Sequence, residues 1–323
     1  MDHALRHLRR FRRIAFGVFA LFFLVILAGV SVRVLDAGMG CPDWPTCYGQ
    51  LIPPTQASQL PPDYRERFAV AGRLAEPFDP LKTWAEYINR LVSVLAGLGV
   101  LMMVGYAWIF LRWHSRLLLY TTVIPVLLVI QSLIGWRVVA TYLAEHLITV
   151  HMLFSVGLTL MALLAWAQTF QLQPRLPKGE LKTYYKLGWA ALGALLIQVL
   201  LGATLRAIIT QKGLETGLHS TNFFIHRSLS WVVLGLWAYY HWRLFREPVR
   251  HPFARRWAMI TTLALTSQVI VGAFMSYISF TGVAKVAHLW LALFAVNTGF
   301  ISLYFFKHSV YDGSYQPIAR LSS

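Results

Sequence analysis

Charge is scarce in this 323-residue chain: Asp, Glu, Lys and Arg make up 13% of it, about half of the ~25% found in soluble domains. Acidic residues are the scarcest, 13 against 29 Lys and Arg, and cysteine occurs only twice. Two cysteines exclude a small secreted scaffold held by several disulfides and a four-thiolate zinc site. Seven stretches carry no charge: Ile14–Val32, Leu91–Leu111, Leu117–Trp136, Leu147–Gln173, Leu187–Leu205, Trp257–Ala284 and Val286–Phe306. Each approaches or exceeds the roughly 20 residues that cross a bilayer core. An eighth, about Leu218–Trp242, is interrupted only by Arg227. Lipid offers the backbone no hydrogen-bond partner, so such segments are helices. The expected fold is all-α, a polytopic membrane protein with eight transmembrane helices, spans 1 to 8.

The net charge of +16 would suggest nucleic acid in a soluble protein, but its distribution excludes that class. Arg6, Arg9, Arg10, Arg12 and Arg13 precede span 1, and Arg112 and Arg116 join spans 2 and 3. Arg175, Lys178, Lys182 and Lys186 join spans 4 and 5; Arg243, Arg246, Arg250, Arg255 and Arg256 join spans 6 and 7. Positive charge in alternate loops is the positive-inside pattern. It places both termini in the cytoplasm and membrane lipid around the helices. No small-residue cleavage site follows the first apolar run, so that run reads as span 1 and not as a signal peptide.

The chain repeats itself. A shift of 137 positions aligns Asn89-Arg90 with His226-Arg227, Ser93 with Ser230, Gln131 with Gln268, Gly135 with Gly272 and His151 with His288. Gly29 to Arg33 resembles Gly202 to Arg206 at a shift of 173, so the first half holds 36 extra residues between its first two spans. The expected organisation is two pseudo-symmetric four-helix bundles related by an axis along the membrane normal. The segments are a basic cytoplasmic N terminus (1–13), a first half (14–171) with an outer loop at 35–83, a cytoplasmic linker (172–186), a second half (187–307) and a cytoplasmic tail (308–323). Both cysteines, Cys41 and Cys47, lie in the outer loop. On the oxidising side such a pair closes a small disulfide loop, as a structural clip or as a redox-active pair. Tyr64–Ala75, with mixed charge, suggests an interfacial amphipathic helix.

Of eleven histidines, His3 and His7 fall in the basic tail, His114, His241, His251 and His308 at cytoplasmic span ends, and His146 and His219 near outer ends. His151, His226 and His288 alone lie inside apolar spans, where ionisable groups are costly and mark a site. All three sit within roughly 8–12 Å of the outer helix ends at 1.5 Å per residue. A lone histidine there also serves as helix–helix glue; three at repeat-related positions favour ligation. Two imidazoles on facing helices suit a six-coordinate haem, with His226 and His288 as the pair. Zinc would need further ligands, and no Cys, Asp or Glu lies within the spans nearby.

Arg90 and Arg227 follow the proposed ligand positions, and Arg33 and Arg206 end spans 1 and 5 on the outer side. Arginine pairs bidentately with carboxylates such as haem propionates; the competing reading is snorkelling to the interface. The first half breaks the symmetry. Asn89 stands where the second half has His226, and Glu86, one helical turn earlier, stands where it has Phe223. Glu86 is read as a residue of a reacting site or as a solvated group at the mouth of span 2.

Val32-Arg33, Gly40-Cys-Pro-Asp-Trp-Pro-Thr-Cys-Tyr-Gly49, Glu86-Tyr-Ile-Asn-Arg90, Thr149-Val-His151-Met, Ile225-His-Arg227 and Ala287-His-Leu289 together resemble the haem A synthase family over about residues 14–306. The resemblance implies eight helices, a bacterial inner-membrane location, a haem b in the C-terminal half and a substrate haem in the N-terminal half. It implies oxidation of a methyl group of haem O to the formyl group of haem A, for terminal oxidases. Carried over by position, His226 and His288 ligate haem b iron, His151 ligates the substrate haem, Glu86 is the acidic residue at the reacting site, and Cys41 and Cys47 are the loop cysteine pair. The family's second N-terminal histidine is Asn89 here, leaving either an open coordination position or a disabled site. The implied partners are haem O, a haem O synthase, a redox partner of unidentified kind and a further copy of the chain. Two other readings stand beside it: a haem b electron carrier without catalysis, and a transporter, which would more often show broken helices near the midplane.

Overall fold

The computed structural model describes residues 2–170, 181–246 and 252–308. Most of the expected linker (172–186) and tail (308–323), together with Arg175, Lys178, Arg250 and His251, lie outside the described residues. Ten α-helices and no strands occur among the described residues. They are α1 (Asp2–Val34), α2 (Tyr64–Arg67), α3 (Pro80–Phe110), α4 (Ser115–Ala140), α5 (Glu145–Ala167), α6 (Leu181–Lys212), α7 (Leu214–Leu218), α8 (Thr221–Arg246), α9 (Pro252–Tyr277) and α10 (Gly282–His308).

Seven of these, α1, α3, α4, α5, α6, α9 and α10, are long and apolar enough to cross a membrane. The eighth expected span is the 26-residue α8, which is long enough but more polar. Asn222, His226, Arg227, Ser228, Ser230, His241, Arg243 and Arg246 all fall within it. The sequence expectation of a helix over Tyr64–Ala75 is corrected: only Tyr64–Arg67 is helical. Ala71 and Gly72 adopt φ of 50° and 75°, left-handed values that end a right-handed helix, and Val70 and Arg73 pair across the resulting turn.

The chain forms two compact units, Met1–Thr169 with Thr281–Trp290, and Phe170–Phe280 with Leu291–Ser323. In the first, α1 buries Leu8, Phe11, Ala15, Val18 and Phe22, a stripe advancing by three or four residues as one helical face requires. Opposite, α3 buries Ala96, Gly99, Val100, Met103 and Ala107. A side chain at Gly99 would lie 3.1 Å from Leu21 and 3.5 Å from Val18, so small residues let α1 and α3 approach closely, the usual packing of membrane helices. The outward faces stay apolar, as Leu91, Val94, Leu95, Leu98, Leu101 and Met102 of α3 show. In water this would be a liability; against lipid chains it is the ordinary surface.

In the second unit, Trp237 and Tyr240 of α8 are fully buried and meet edge to face. The Trp237 ring occupies the space a Cβ at Gly299 would take, 2.7 Å away. Two hydroxyls on α10 are satisfied locally: the Ser302 hydroxyl donates to the Ala254 carbonyl (2.8 Å), and the Thr261 and Thr298 hydroxyls lie 3.0 Å apart.

Substituting Gly299→Ala therefore forces the fully buried indole of Trp237 to move. Overpacking of this kind costs about 1–3 kcal/mol, and we expect a fall of about 2–10 °C in the melting temperature of the detergent-solubilised protein. Gly105→Ala, at a position with no atom within 4 Å of the added carbon, should leave it unchanged or raise it slightly.

Candidate functional site

The loop between α1 and α3 is a small folded body. Cys41 and Cys47 form a disulfide (S–S 2.03 Å), and with Tyr48 and Leu60 they make a buried cluster packed against Tyr64, Phe68, Phe78 and Tyr87. The Asp43 carboxylate ties the turn, accepting from the Thr46 hydroxyl, the Tyr48 N–H and the Gly49 N–H at 2.5–2.9 Å. Burial pushes the Tyr48 phenol up to about 12, so it stays neutral. The loop lies directly on the start of α3. A Cβ at Gly40 would sit 2.5 Å from the Lys82 carbonyl oxygen and 2.8 Å from the Thr83 nitrogen, a backbone contact that only glycine permits. The α3 terminus is well formed there, with Pro80 in its first turn and Asp79 accepting from the Leu81 and Lys82 N–H groups.

Beneath the loop lies Glu86, 5% exposed. The reading of Glu86 as a solvated group is thereby corrected: the loop and α3 withdraw it from water. One carboxylate oxygen accepts from the Cys41 N–H at 2.9 Å, the other from Arg90 Nη2 at 2.6 Å. Arg90 also donates to the carbonyl oxygens of Cys41 (2.7 Å), Asp43 (2.7 Å) and Thr46 (2.8 Å). The guanidinium thus ties the disulfide loop to the buried carboxylate on its own helix. The sequence reads Arg90 as a propionate partner or a snorkelling side chain; its i, i+4 pairing with Glu86 and its bonds to the loop carbonyls emerge only in the structure.

His151, on α5, faces α4. Gln131 Nε2 lies 3.1 Å from His151 Nε2, 3.1 Å from the His151 carbonyl oxygen and 2.6 Å from Ser155 Oγ. His151 Nδ1 is buried with no hydrogen-bond partner, and so is Asn89 Oδ1. Unpaired buried polar atoms are costly, and two of them on the proposed ligand positions of one unit fit a group that supplies partners. The third element of this face is Arg33, at the end of α1, paired with Glu145 at the start of α5 (2.5 Å).

In the second unit, His226 of α8 meets α6, where Gln198 Nε2 donates to the His226 carbonyl at 2.8 Å. Arg227 is exposed, donates to the Tyr277 hydroxyl (2.9 Å) and lies over the Phe223 and Phe224 rings. Arg206 lies on α6, on the next turn after Gly202. His288 lies on the part of α10 that belongs to the first unit. Gln131 was visible in the repeat through Gln268, but Gln198 was not, nor was the role of either toward the histidines.

The architecture is that of a multi-pass helical membrane protein with imidazoles inside its helices and a folded loop over a buried acid. The sequence pattern of the COX15-CtaA family, described as a cytochrome oxidase assembly protein, matches residues 12–298, and the chain belongs to that family. It is similar to proteins named "Heme A synthase": that of Shewanella oneidensis is 32% identical over 152 residues, 45% of this chain and 42% of the relative. That of Bartonella quintana is 26% identical over 144 residues, 42% and 39% of the two chains. That of a Bradyrhizobium species is 26% identical over 266 residues, 77% and 70%. The chain matches about two fifths of the length of the first two relatives.

Removing the guanidinium separates two effects. Arg90→Ala leaves a buried carboxylate uncompensated and three loop carbonyls without their donor, a change of about 3–5 kcal/mol for a broken buried pair. Its expected signature is a lowered melting temperature together with rapid protease cleavage within 41–75. Glu86→Gln keeps shape and the acceptor for Arg90, so the loop should stay protected.

Proposed function

We propose that this protein acts as a haem A synthase, oxidising the methyl group of haem O to the formyl group of haem A for terminal oxidase biogenesis. The observation that carries this reading is Glu86, a carboxylate buried under the disulfide loop one helical turn before Asn89, in a chain of this family. An electron carrier has no need of such a group. Its presence in one half, with Phe223 at the repeat-related position, suits a division in which one half works on substrate and the other carries electrons.

The net change is R–CH3 + H2O to R–CHO + 4 H+ + 4 e−, the four electrons passing to the proposed redox partner. A group able to take protons is therefore needed beside the methyl carbon. Each Glu86 oxygen carries one hydrogen bond from the protein, from Cys41 N–H or from Arg90, and keeps a lone pair for water or a proton. Arg90 and the loop hold the carboxylate in place and shield it from bulk water, which preserves its orientation. His151 and Asn89, with Nδ1 and Oδ1 unpaired, are the residues proposed to hold the substrate haem. The assignment of His226 and His288 to haem b rests on the repeat and on the family resemblance; haem b, when bound, supplies one-electron redox chemistry. Arg33, Arg206 and Arg227 remain proposed propionate partners, whereas the four hydrogen bonds from the Arg90 terminal nitrogens support a clamping role for that residue. The proposed topology counts α8 as the eighth span, in two four-helix bundles, with both termini cytoplasmic and the haem sites toward the outer face. A haem O synthase, a redox partner and self-association are proposed partners.

The test is expression in a host that makes haem O and lacks its own haem A synthase, followed by extraction and chromatography of the haems. Haem A or its hydroxylated intermediate is expected from the wild type. Glu86→Gln should abolish formyl product, by at least about a hundredfold for a lost acid–base group, while leaving the haem b spectrum intact. Haem b with haem O unchanged in the wild type would instead support the electron-carrier reading, which Asn89 in place of histidine favours.

A further inference from the structure

Each intramembrane histidine described within one unit sits in the same notch. On α4, Gln131 and Gly135 are four residues apart and face His151; on α6, Gln198 and Gly202 are four apart and face His226. In both, the glutamine amide nitrogen donates to the histidine's own carbonyl, at 3.1 and 2.8 Å. In both, the glycine leaves room for the ring. A Cβ at Gly135 would lie 3.1, 3.6 and 3.9 Å from Cε1, Nδ1 and Nε2 of His151; at Gly202 the distances to His226 are 3.1, 3.7 and 3.9 Å. Two imidazoles in separate units thus adopt one pose against their glycines, to within about 0.1 Å. In a helix, residues four apart stack on one face, so a Gln-x-x-x-Gly step is a local device needing only one neighbouring helix. The sequence repeats the step at Gln268 and Gly272.

The fourth position tests the rule. Shifted by 173, Gln198 and Gly202 become Val25 and Gly29. Gly29 faces Asn89, whose Oδ1 would lie 3.6 Å from a Cβ there. The glycine is kept, the amide is lost, and the residue opposite is not a histidine.

We propose that Gln131 and Gln198 are positioning residues for the imidazoles of His151 and His226, and that the first-half notch formed by Val25 and Gly29 lacks the group needed to hold a histidine at position 89. The amide pins the turn that carries the imidazole; the glycine admits the Cε1 edge of the ring and sets its rotation. Orientation set by a neighbour of a ligand is how outer residues tune a metal site. The inference rests on the haem reading above, and it concerns how the imidazoles are held, whichever reaction follows.

The experiment uses the full-length protein purified from membranes with its haem, read by haem-to-protein ratio and by the low-spin ferric EPR signal, which reports imidazole orientation. Gln198→Leu and Gly202→Ala should shift the g values of the haem that remains bound, and Gln198→Leu should lower haem retention about tenfold, for the loss of a hydrogen bond at the strong end of the usual range. A variant that merely folds poorly would lower yield and leave the g values of the surviving holoprotein alone. The gain-of-ligand pair is independent of that risk: Asn89→His alone should leave the signal as in the wild type, whereas Val25→Gln with Asn89→His should add a second low-spin species. Unchanged g values in Gln198→Leu, or a second species from Asn89→His alone, overturns the inference while the haem reading stands. A wild type purified from haem-replete cells without haem overturns the haem reading, and this inference with it.

Discussion

A carboxylate taken out of water must be met by hydrogen bonds or a cation, because its desolvation is otherwise far larger than any packing gain. Glu86 meets that condition with one N–H from the loop and one guanidinium from its own helix. Much of the outer face follows from that. Arg90 can serve Glu86 only if its remaining N–H groups are also satisfied, and the acceptors are carbonyls of residues 41, 43 and 46. Those carbonyls converge because the disulfide and the Asp43 turn bend the chain back on itself. The bent loop reaches α3 only because Gly40 presents no side chain to the Lys82–Thr83 backbone. Acid, arginine, disulfide and glycine are therefore one unit of structure, and the loop is the lid that makes the acid a buried one.

The membrane class was legible because bilayer thickness and backbone hydrogen bonding leave few solutions for long charge-free runs. The disulfide was legible from two cysteines six residues apart in one loop, read from the charge pattern as facing the oxidising side. The ion pair of Glu86 with Arg90 has the i, i+4 spacing of a helix, but the sequence alone assigns Arg90 to a propionate or to the interface instead. The burial of Glu86 was not legible, because it depends on a loop whose Cys41, 45 residues earlier in the chain, folds over it, and loop shape has no periodic signal. The helix expected at Tyr64–Ala75 failed for a related reason: alternating charge and apolar residues suggested an amphipathic face, but Ala71 and Gly72 turn left-handed and the segment packs on the Tyr48 cluster instead. In α8 the histidine, the arginines and the serines that mark it as a candidate site are the same residues that lower its apolar character.

Comparison of the halves within the one chain sharpens what each is built to do. The apolar scaffold repeats, and so do the Gly29 and Gly202 notches. Several polar groups do not. Glu86 corresponds to Phe223, Asn89 to His226, Val25 to Gln198 and Glu145 to Gly282. Among the described residues, Glu86 and Glu145 of the first half are each paired with an arginine, where the second half has Phe223 and Gly282. Paired acids inside a membrane protein serve either to fix structure or to handle protons. The Arg33–Glu145 pair joins the ends of α1 and α5 and is about a quarter to a third exposed, whereas Glu86 is enclosed, so the two acids divide between those roles.

The same comparison bears on Asn89. Histidine at this depth is tolerated where its helix turn is pinned and its ring has a notch, as at His151 and His226. At position 89 the ring space survives but the pinning amide is replaced by an apolar side chain. Losing a ligand by one substitution would leave its support in place. Here support and ligand differ together, which is what a site arranged around a different group at that position looks like. The unpaired Oδ1 of Asn89 and Nδ1 of His151 lie in one unit, and Glu86 is one helical turn before Asn89, so the polar groups that set this half apart are centred on α3.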